Sequence, residues 1–167
     1  MFKVLKKNSK DDTMTKLNYS DFITQEVLTQ GFSISLKGRG FSMYPFVRTG
    51  DKLFIQPVKM DELNIGDIVF YRRAQNFFIA HRLIKKIDQM TMLTKGDNRS
   101  DYDEPVSADI VLGRVVSINR NGKTINLESW SNKIVSRYCA LLSPLSRWLR
   151  PVIKPAWKIY KKLCTRD

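Results

Sequence analysis

The sequence is poor in cysteine and contains no long apolar run. Cys139 and Cys164 are the only cysteines among 167 residues, which excludes a disulfide framework or a four-cysteine zinc site. The longest stretch without a charged residue, 27–36, has ten residues, about half of the ~20 that a membrane-spanning helix needs. We therefore expect one compact domain in a reducing compartment, without a transmembrane helix.

Acidic residues are also scarce, and the resulting positive charge is unevenly distributed. The chain has 29 Lys and Arg residues against 16 Asp and Glu, a net charge of +13. Residues 1–30 carry a net +1, residues 31–130 a net +4 and residues 131–167 a net +8. A basic excess is the usual sign of nucleic-acid binding. Most of this excess lies in the C-terminal tail. This distribution argues against specific nucleic-acid recognition by the rest of the chain.

The N-terminus starts with basic and apolar residues, as a signal peptide does. Residues 8–12, Asn-Ser-Lys-Asp-Asp, nevertheless stand where the apolar region of a signal peptide should lie. We therefore expect no export, and a location in the cytoplasm or peripherally on the cytoplasmic face of the membrane.

Residues 31–130 are predicted to form a mostly β domain. β-Branched and aromatic residues are concentrated in four short runs separated by turn residues. These runs are residues 52–56, 67–72, 77–84 and 90–94. A hairpin is predicted from residues 111–118 and 123–127, because Asn121-Gly122 between them suits the φ > 0 positions of a tight turn.

The segments on either side of this domain are predicted to be helical. Residues 18–30 have near-helical apolar spacing, with Ser20 or Asp21 as N-cap and Gly31 at the end. In residues 131–167, apolar side chains recur every three or four positions and most basic ones lie off that stripe. Three prolines should divide this tail into short helical pieces.

Two interpretations of residues 131–167 stay open. Trp148, Trp157 and the aliphatic residues, with Lys and Arg opposite, would suit a helix lying in the interface of an anionic bilayer. Alternatively, the tail helices pack on the β domain and direct their charges towards water.

Three short clusters supply the residue types of acyl-transfer chemistry. Residues 40–45, Gly-Phe-Ser-Met-Tyr-Pro, place Ser42 in a turn, and residues 80–84 hold the only histidine, His81. Residues 94–103 form an Asp-rich loop. A serine hydroxyl needs a base to remove its proton, and that base needs a carboxylate to hold its tautomer. Spacing alone equally fits a turn serine, a structural histidine and solvated carboxylates.

The order of these motifs resembles a known superfamily. Gly-x-Ser-Met-x-Pro, Gly-Asp-Ile-Val-Phe-Tyr, His-Arg-Leu-Ile and Thr-Lys-Gly-Asp-Asn follow one another within residues 37–118. They are similar to the S24/S26 serine peptidase superfamily, which contains the signal peptidases and the self-cleaving LexA-type repressors. His81 stands where Ser/Lys members have lysine, so the chain is closest to the endoplasmic-reticulum, archaeal and SipW-like signal peptidases. The resemblance implies a coiled β-sheet peptidase fold.

The resemblance also implies roles for individual residues. Ser42 would be the nucleophile and His81 the general base, with Asp103 as the acid that orients the histidine and Asp101 as its competitor. Asp97 would brace the loop rather than take part in chemistry, and Lys95 is a minor alternative base.

The resemblance further implies an oxyanion hole formed by the Ser42 backbone N–H. Some members add a hydroxyl two residues before the nucleophile, where this chain has Gly40. Backbone groups or water would have to replace that hydroxyl.

The function that follows is that of a signal-peptidase-like serine endopeptidase, which cleaves a leader or precursor peptide without metal or cofactor. Two alternatives stay open: a non-catalytic peptide-binding or assembly module on the same fold, and a maturation peptidase for a ribosomally made peptide. The expected partners are a peptide or protein substrate and an anionic membrane surface that contacts residues 131–167. The sequence does not define the oligomeric state.

Overall fold

The computed structural model describes residues 23–74 and 77–143 of the chain. This part forms an antiparallel eight-stranded sheet with one helix before it and one after it. The strands are β1 (Ile34–Lys37), β2 (Lys52–Gln56), β3 (Ile68–Ala74), β4 (Phe77–Lys86), β5 (Thr91–Lys95), β6 (Val106–Ser107), β7 (Val111–Arg120) and β8 (Lys123–Asn126). The helices are α1, described over residues 23–29, and α2 (Trp130–Leu142). The predicted mostly β class, with a short N-terminal and a C-terminal helix, is confirmed.

The strands are ordered β1-β2-β7-β3-β4-β5-β6 across the sheet, and β8 pairs with β7. Strand β7 is long enough to have three neighbours, since its first residues pair with β3 and its last ones with β8, while β2 lies on its other side. A 3-10 helix, Ala108–Ile110, connects β6 to β7. The long β7 thus joins the two halves of the sheet.

Four of the strands, β2 to β5, lie where the β-branched and aromatic runs predicted them. The predicted hairpin is β7–β8, and its turn residues Asn121 and Gly122 have φ angles of 51° and 80°. Strands β1 and β6 were not predicted, because four and two residues respectively are too few to show a pattern.

Helix α1 ends before Gly31, as the sequence predicted, and its proposed caps Ser20 and Asp21 lie outside the described residues. Helix α2 forms the first part of the predicted helical tail. The rest of that tail, residues 144–167, also lies outside the described part.

Apolar side chains are buried on both faces of the sheet. Along β3, Ile68 and Phe70 belong to one buried cluster, whereas Val69 and Tyr71 belong to another. Successive residues of a strand point to opposite faces, so the two clusters lie on opposite sides of the sheet and share its central strands.

None of the helices within residues 23–74 and 77–143 is both long and apolar enough to cross a bilayer.

Candidate active site

Ser42 lies in the loop that connects β1 to β2 and is partly buried. Two neighbours, Met43 and Val47, are buried in the larger apolar cluster and fix this loop to the sheet. The Val47 N–H donates to the Met43 carbonyl at 2.9 Å, which closes the segment into a turn. The apolar anchors therefore leave Ser42 at the edge of a well-packed loop.

The other end of this loop is held by Asp51 and Arg120. The Arg120 Nε and Nη2 atoms donate to the two Asp51 carboxylate oxygens at 2.9 and 2.7 Å, and Nη2 also donates to the Phe46 carbonyl at 2.7 Å. The Arg48 N–H donates to Asp51 at 2.8 Å. Burial raises the pKa of Asp51, but the bonds from Arg120 and Arg48 outweigh it and leave the pKa below its usual value.

His81 lies on β4, and its side chain is buried. Its Nδ1 atom forms a hydrogen bond of 2.6 Å with Oδ2 of Asp103. The Asp103 N–H donates to the Thr94 carbonyl at 2.9 Å, which holds the loop after β5 against the sheet. Asp101, the competitor, accepts a 2.8 Å hydrogen bond from the Ser100 hydroxyl and is exposed. The structure thus brings Asp103, and not Asp101, to His81.

Two hydroxyl groups that sequence reasoning had assigned no role extend this pair. The Thr94 hydroxyl donates to Asp103 Oδ2 at 2.9 Å, and the buried Tyr71 hydroxyl lies 3.1 Å from Thr94 Oγ1. Because Thr94 gives its single proton to the carboxylate, the Tyr71 hydroxyl is left to donate to Thr94 Oγ1 or to Asp103, with which it also interacts. Tyr71 and Thr94 therefore both support Asp103 at the point where it meets His81.

This network controls the ionisation of two of its members. Burial raises the pKa of Asp103, but hydrogen bonds from His81, Thr94 and Tyr71 and the nearby His81 ring outweigh it, so the pKa is lowered overall. Burial is also the main reason that the pKa of Tyr71 rises to about 12. At neutral pH the network therefore holds a carboxylate at Asp103 and a protonated hydroxyl at Tyr71.

Gly96 brings Ser42 and His81 together. A Cβ atom at this position would lie 2.7 Å from the Ser42 carbonyl oxygen and 3.0 Å from His81 Nε2, so both atoms lie against the Gly96 backbone. The Asn98 N–H donates to the Ser42 carbonyl at 2.7 Å, and Asn98 Nδ2 donates to the Phe41 carbonyl at 3.1 Å. The loop after β5 therefore contacts both the nucleophile candidate and the base candidate.

No hydrogen bond joins Ser42 to His81 in the part of the chain that the structure describes. The Ser42 N–H likewise has no hydrogen-bond partner among residues 23–74 and 77–143. A backbone donor at a nucleophile that is not used within the fold is available to an incoming carbonyl oxygen.

Asp97 is bound by Arg82. The Nε and Nη2 atoms of the buried Arg82 each donate to an Asp97 oxygen at 2.7 Å, and Nη1 donates to the Gly66 carbonyl at 2.8 Å. The Arg82 guanidinium also lies 4.6 Å from the ring centroid of Phe46 in the Ser42 loop. These contacts make Asp97 a structural link between β4 and the loop after β5.

Lys95, the alternative base, is also buried. Its Nζ atom donates to the Ser143 carbonyl at 2.6 Å and lies 5.5 Å from the ring centroid of Tyr102. The hydrogen bond connects Lys95 to the C-terminal end of α2, and the ring contact connects it to the loop after β5.

No group of three or more His, Cys, Asp or Glu side chains within the described ranges could hold a metal ion. The arrangement at Ser42, His81 and Asp103 instead contains the components of a hydroxyl nucleophile, an imidazole base and an orienting carboxylate. No protein-family model, curated protein or solved structure matches the chain.

Proposed function

We propose that the protein is a serine endopeptidase of the signal-peptidase type, with Ser42 as nucleophile, His81 as general base and Asp103 as orienting acid. The observation that carries this proposal is the buried 2.6 Å hydrogen bond between His81 and Asp103, with His81 Nε2 turned to the Gly96 backbone that also contacts Ser42. The ordered motifs support it, and with it a signal peptidase or LexA-like fold.

The proposed reaction begins when the Ser42 hydroxyl attacks a peptide carbonyl while His81 Nε2 takes its proton. Asp103 holds the proton on Nδ1 and stabilises the imidazolium. The Ser42 N–H donates to the oxyanion. The imidazolium then protonates the leaving amine, and a water molecule, activated by His81, hydrolyses the acyl-enzyme. The Ser42–His81 hydrogen bond would form when substrate binds, as such contacts often tighten only in the complex.

The substrate proposed is a leader or precursor peptide bound in extended form. Strand β1 supports this, because it lies at an edge of the sheet and leads directly into the Ser42 loop. A peptide adding to this edge would form main-chain hydrogen bonds, and alternate side chains would be recognised by pockets.

Cleavage of a peptide library, followed by mass spectrometry, tests the proposal. We expect the wild-type protein to cut a defined subset of peptides, and Ser42→Ala and His81→Ala to lose this cleavage by at least about a thousandfold. Ser100→Ala is the matched control, because Ser100 is a second serine close to the site that contacts Asp101. Equal cleavage by wild type and Ser42→Ala, or no cleavage by the wild type, would reject the peptidase assignment.

The absence of a Ser42–His81 hydrogen bond favours one alternative, a non-catalytic peptide-binding or assembly module. On that hypothesis, His81→Ala would keep full peptide binding, whereas a proline in edge strand β1 would abolish that binding. A maturation peptidase for a ribosomally made peptide shares the proposed chemistry and differs only in which peptide the wild-type protein cuts.

A further inference from the structure

Helix α2 packs on the sheet domain through its small side chains. Its buried positions are Ser136 and Ala140, and Ser143 follows them on the same side at the end of the helix. The approach is close, because a Cβ atom at Gly66 would lie 2.8 Å from the Ser136 carbonyl carbon. The face towards the domain is thus made of small, mainly polar residues.

The opposite side of α2 carries its large apolar side chains. Trp130 is 80% exposed, Leu141 68% and Tyr138 62%, and Val135 and Leu142 are exposed as well. With 3.6 residues per turn, these five positions fall within an arc of about 140°, so they share one side of the helix. A surface helix normally turns its apolar side inwards, and an exposed apolar patch typically marks an interaction site. We call these five residues the outer face of α2.

Basic residues accompany the outer face and continue beyond it. Helix α2 contains two basic residues and no acidic one; Arg137 is exposed, whereas Lys133 donates to Glu128 at 3.0 Å. Residues 144–167, which follow directly, contain seven basic residues and one acidic residue, together with two tryptophans. The exposed apolar side therefore belongs to a segment whose net charge is positive.

We propose that the outer face of α2 docks on an anionic lipid bilayer. The positive charge of the segment favours a lipid bilayer over protein as the partner that covers this face. Covering the face with residues 144–167, or with the same face of a second copy, would bring positive segments together, whereas anionic lipid neutralises them. Tryptophan, tyrosine and leucine on one side, with lysine and arginine around them, are the composition of an interfacial helix.

The docking helix is linked to the candidate active site through Lys95. The Ser143 carbonyl at the end of α2 accepts the hydrogen bond from Lys95, and Lys95 directly precedes Gly96, which contacts Ser42 and His81. Docking of α2 would thus hold the site near the membrane surface. The binding itself does not depend on peptidase activity, so Ser42→Ala is expected to bind as the wild type does.

Vesicle flotation of the full-length protein tests the inference. The probes are vesicles of phosphatidylcholine mixed with phosphatidylglycerol, and vesicles of phosphatidylcholine alone, at low and high potassium chloride. We expect flotation with the anionic vesicles only, and its loss at high salt. Leu141→Asp should lower the partition into anionic vesicles by about tenfold or more, since it removes apolar area and adds a charge repelled by the lipid.

Met90→Asp is the matched control, because Met90 is 60% exposed in the turn between β4 and β5 and the substitution changes the charge equally. It should float as the wild type does. Equal effects of the two substitutions, equal flotation with neutral vesicles, or no flotation of the wild type would overturn the proposal. It would also be overturned if Leu141→Asp dissociated a dimer, or if it lowered the thermal midpoint without vesicles, because either result means that protein already covers the outer face.

Discussion

At the scale of single residues, Asp103 Oδ2 is the atom on which the proposed chemistry depends most. It accepts hydrogen bonds from both His81 and Thr94, and this fixes the rotation of the carboxylate about its side chain. An imidazole held by a fixed carboxylate keeps its proton on Nδ1 and its free nitrogen towards the nucleophile. Thr94 is therefore a positioning residue, and Tyr71 supports it in turn.

Replacing Thr94 by valine keeps the shape of the side chain and removes the donor to Asp103. We expect kcat for a peptide found in the cleavage screen to fall by about tenfold, roughly the loss of one hydrogen bond, with KM little changed. Thr94→Ser should restore most of the rate, because it restores the hydroxyl, and Tyr71→Phe should have a smaller effect than Thr94→Val. Steady-state kinetics of the three variants measures this. A serine variant as slow as the valine variant would show that packing, rather than the hydroxyl, is what matters.

Asp51 gives the fold a dependence on pH. Its pKa is lowered in the folded protein from the ordinary 3.8, so the stabilisation it provides is present above that value and is lost as the pH falls through the folded pKa. Asp51→Asn leaves Arg120 without its charged partner. We expect this variant to unfold more easily at pH 7 by about 1–3 kcal/mol, and its deficit to shrink in acid, where the wild type loses the same bond.

Urea unfolding of wild type and Asp51→Asn, at neutral pH and at a series of pH values falling well below 3.8, measures this difference. Asp61→Asn serves as control, since Asp61 is exposed and should change stability little at any of these pH values. A deficit of Asp51→Asn that stays constant down to acid pH would contradict the assignment of the pH dependence to this ion pair.

At the scale of secondary-structure elements, the contact between α2 and the sheet depends on Gly66. This residue has φ +100° and meets the backbone of Ser136. Gly66→Ala should therefore destabilise the fold in two ways, by about 1 kcal/mol for the left-handed backbone and by about 1–3 kcal/mol more for the clash with α2. Gly31→Ala separates the two effects, because Gly31 has φ +88° with open space around it. Thermal or urea unfolding of both variants measures the difference, and equal losses would mean that α2 does not pack against Gly66.

Some of these elements can be predicted from the sequence, and others cannot. Strands β2 to β5 and the β7–β8 hairpin could be predicted, because β-branched runs and Asn121-Gly122 are local signals. The apolar stripe of α2 could be predicted too, but periodicity shows only that a helix has two sides and not which of them meets the domain. That choice depends on Gly66 and on the small residues of the inner side, a contact between distant parts of the chain.

The candidate site shows the same limit. Residue type and motif order indicate Ser42 and His81, and only the resemblance favours Asp103 over Asp101. The Arg120–Asp51 pair and the Tyr71–Thr94–Asp103 network join residues from different strands and loops. Only the register of the sheet brings their side chains together, so spacing along the chain carries no sign of them.

At the scale of the whole molecule, the two apolar clusters lie on opposite faces of one sheet and share strands β3 and β4. Because both clusters pack against the same two strands, the loss of one cluster should disrupt the packing of the other. The described domain should therefore unfold in a single transition. Leu53→Ala in the larger cluster and Met92→Ala in the smaller one should each lower the free energy of unfolding by about 2–5 kcal/mol. Both losses should shift that same transition.

Urea unfolding followed by far-ultraviolet circular dichroism, and by near-ultraviolet circular dichroism of buried aromatic residues such as Tyr71, measures this cooperativity. The two probes should give one midpoint for each variant. Met90→Ala is the control, because Met90 is close in sequence to Met92 but exposed, and it should leave the free energy of unfolding within about 0.5 kcal/mol of the wild type. If Met92→Ala instead produced a second transition, with β2 and β7 still folded after β5 had been lost, the two faces would be independent units. The loop after β5 could then open without the rest of the sheet and carry Asp103 away from His81.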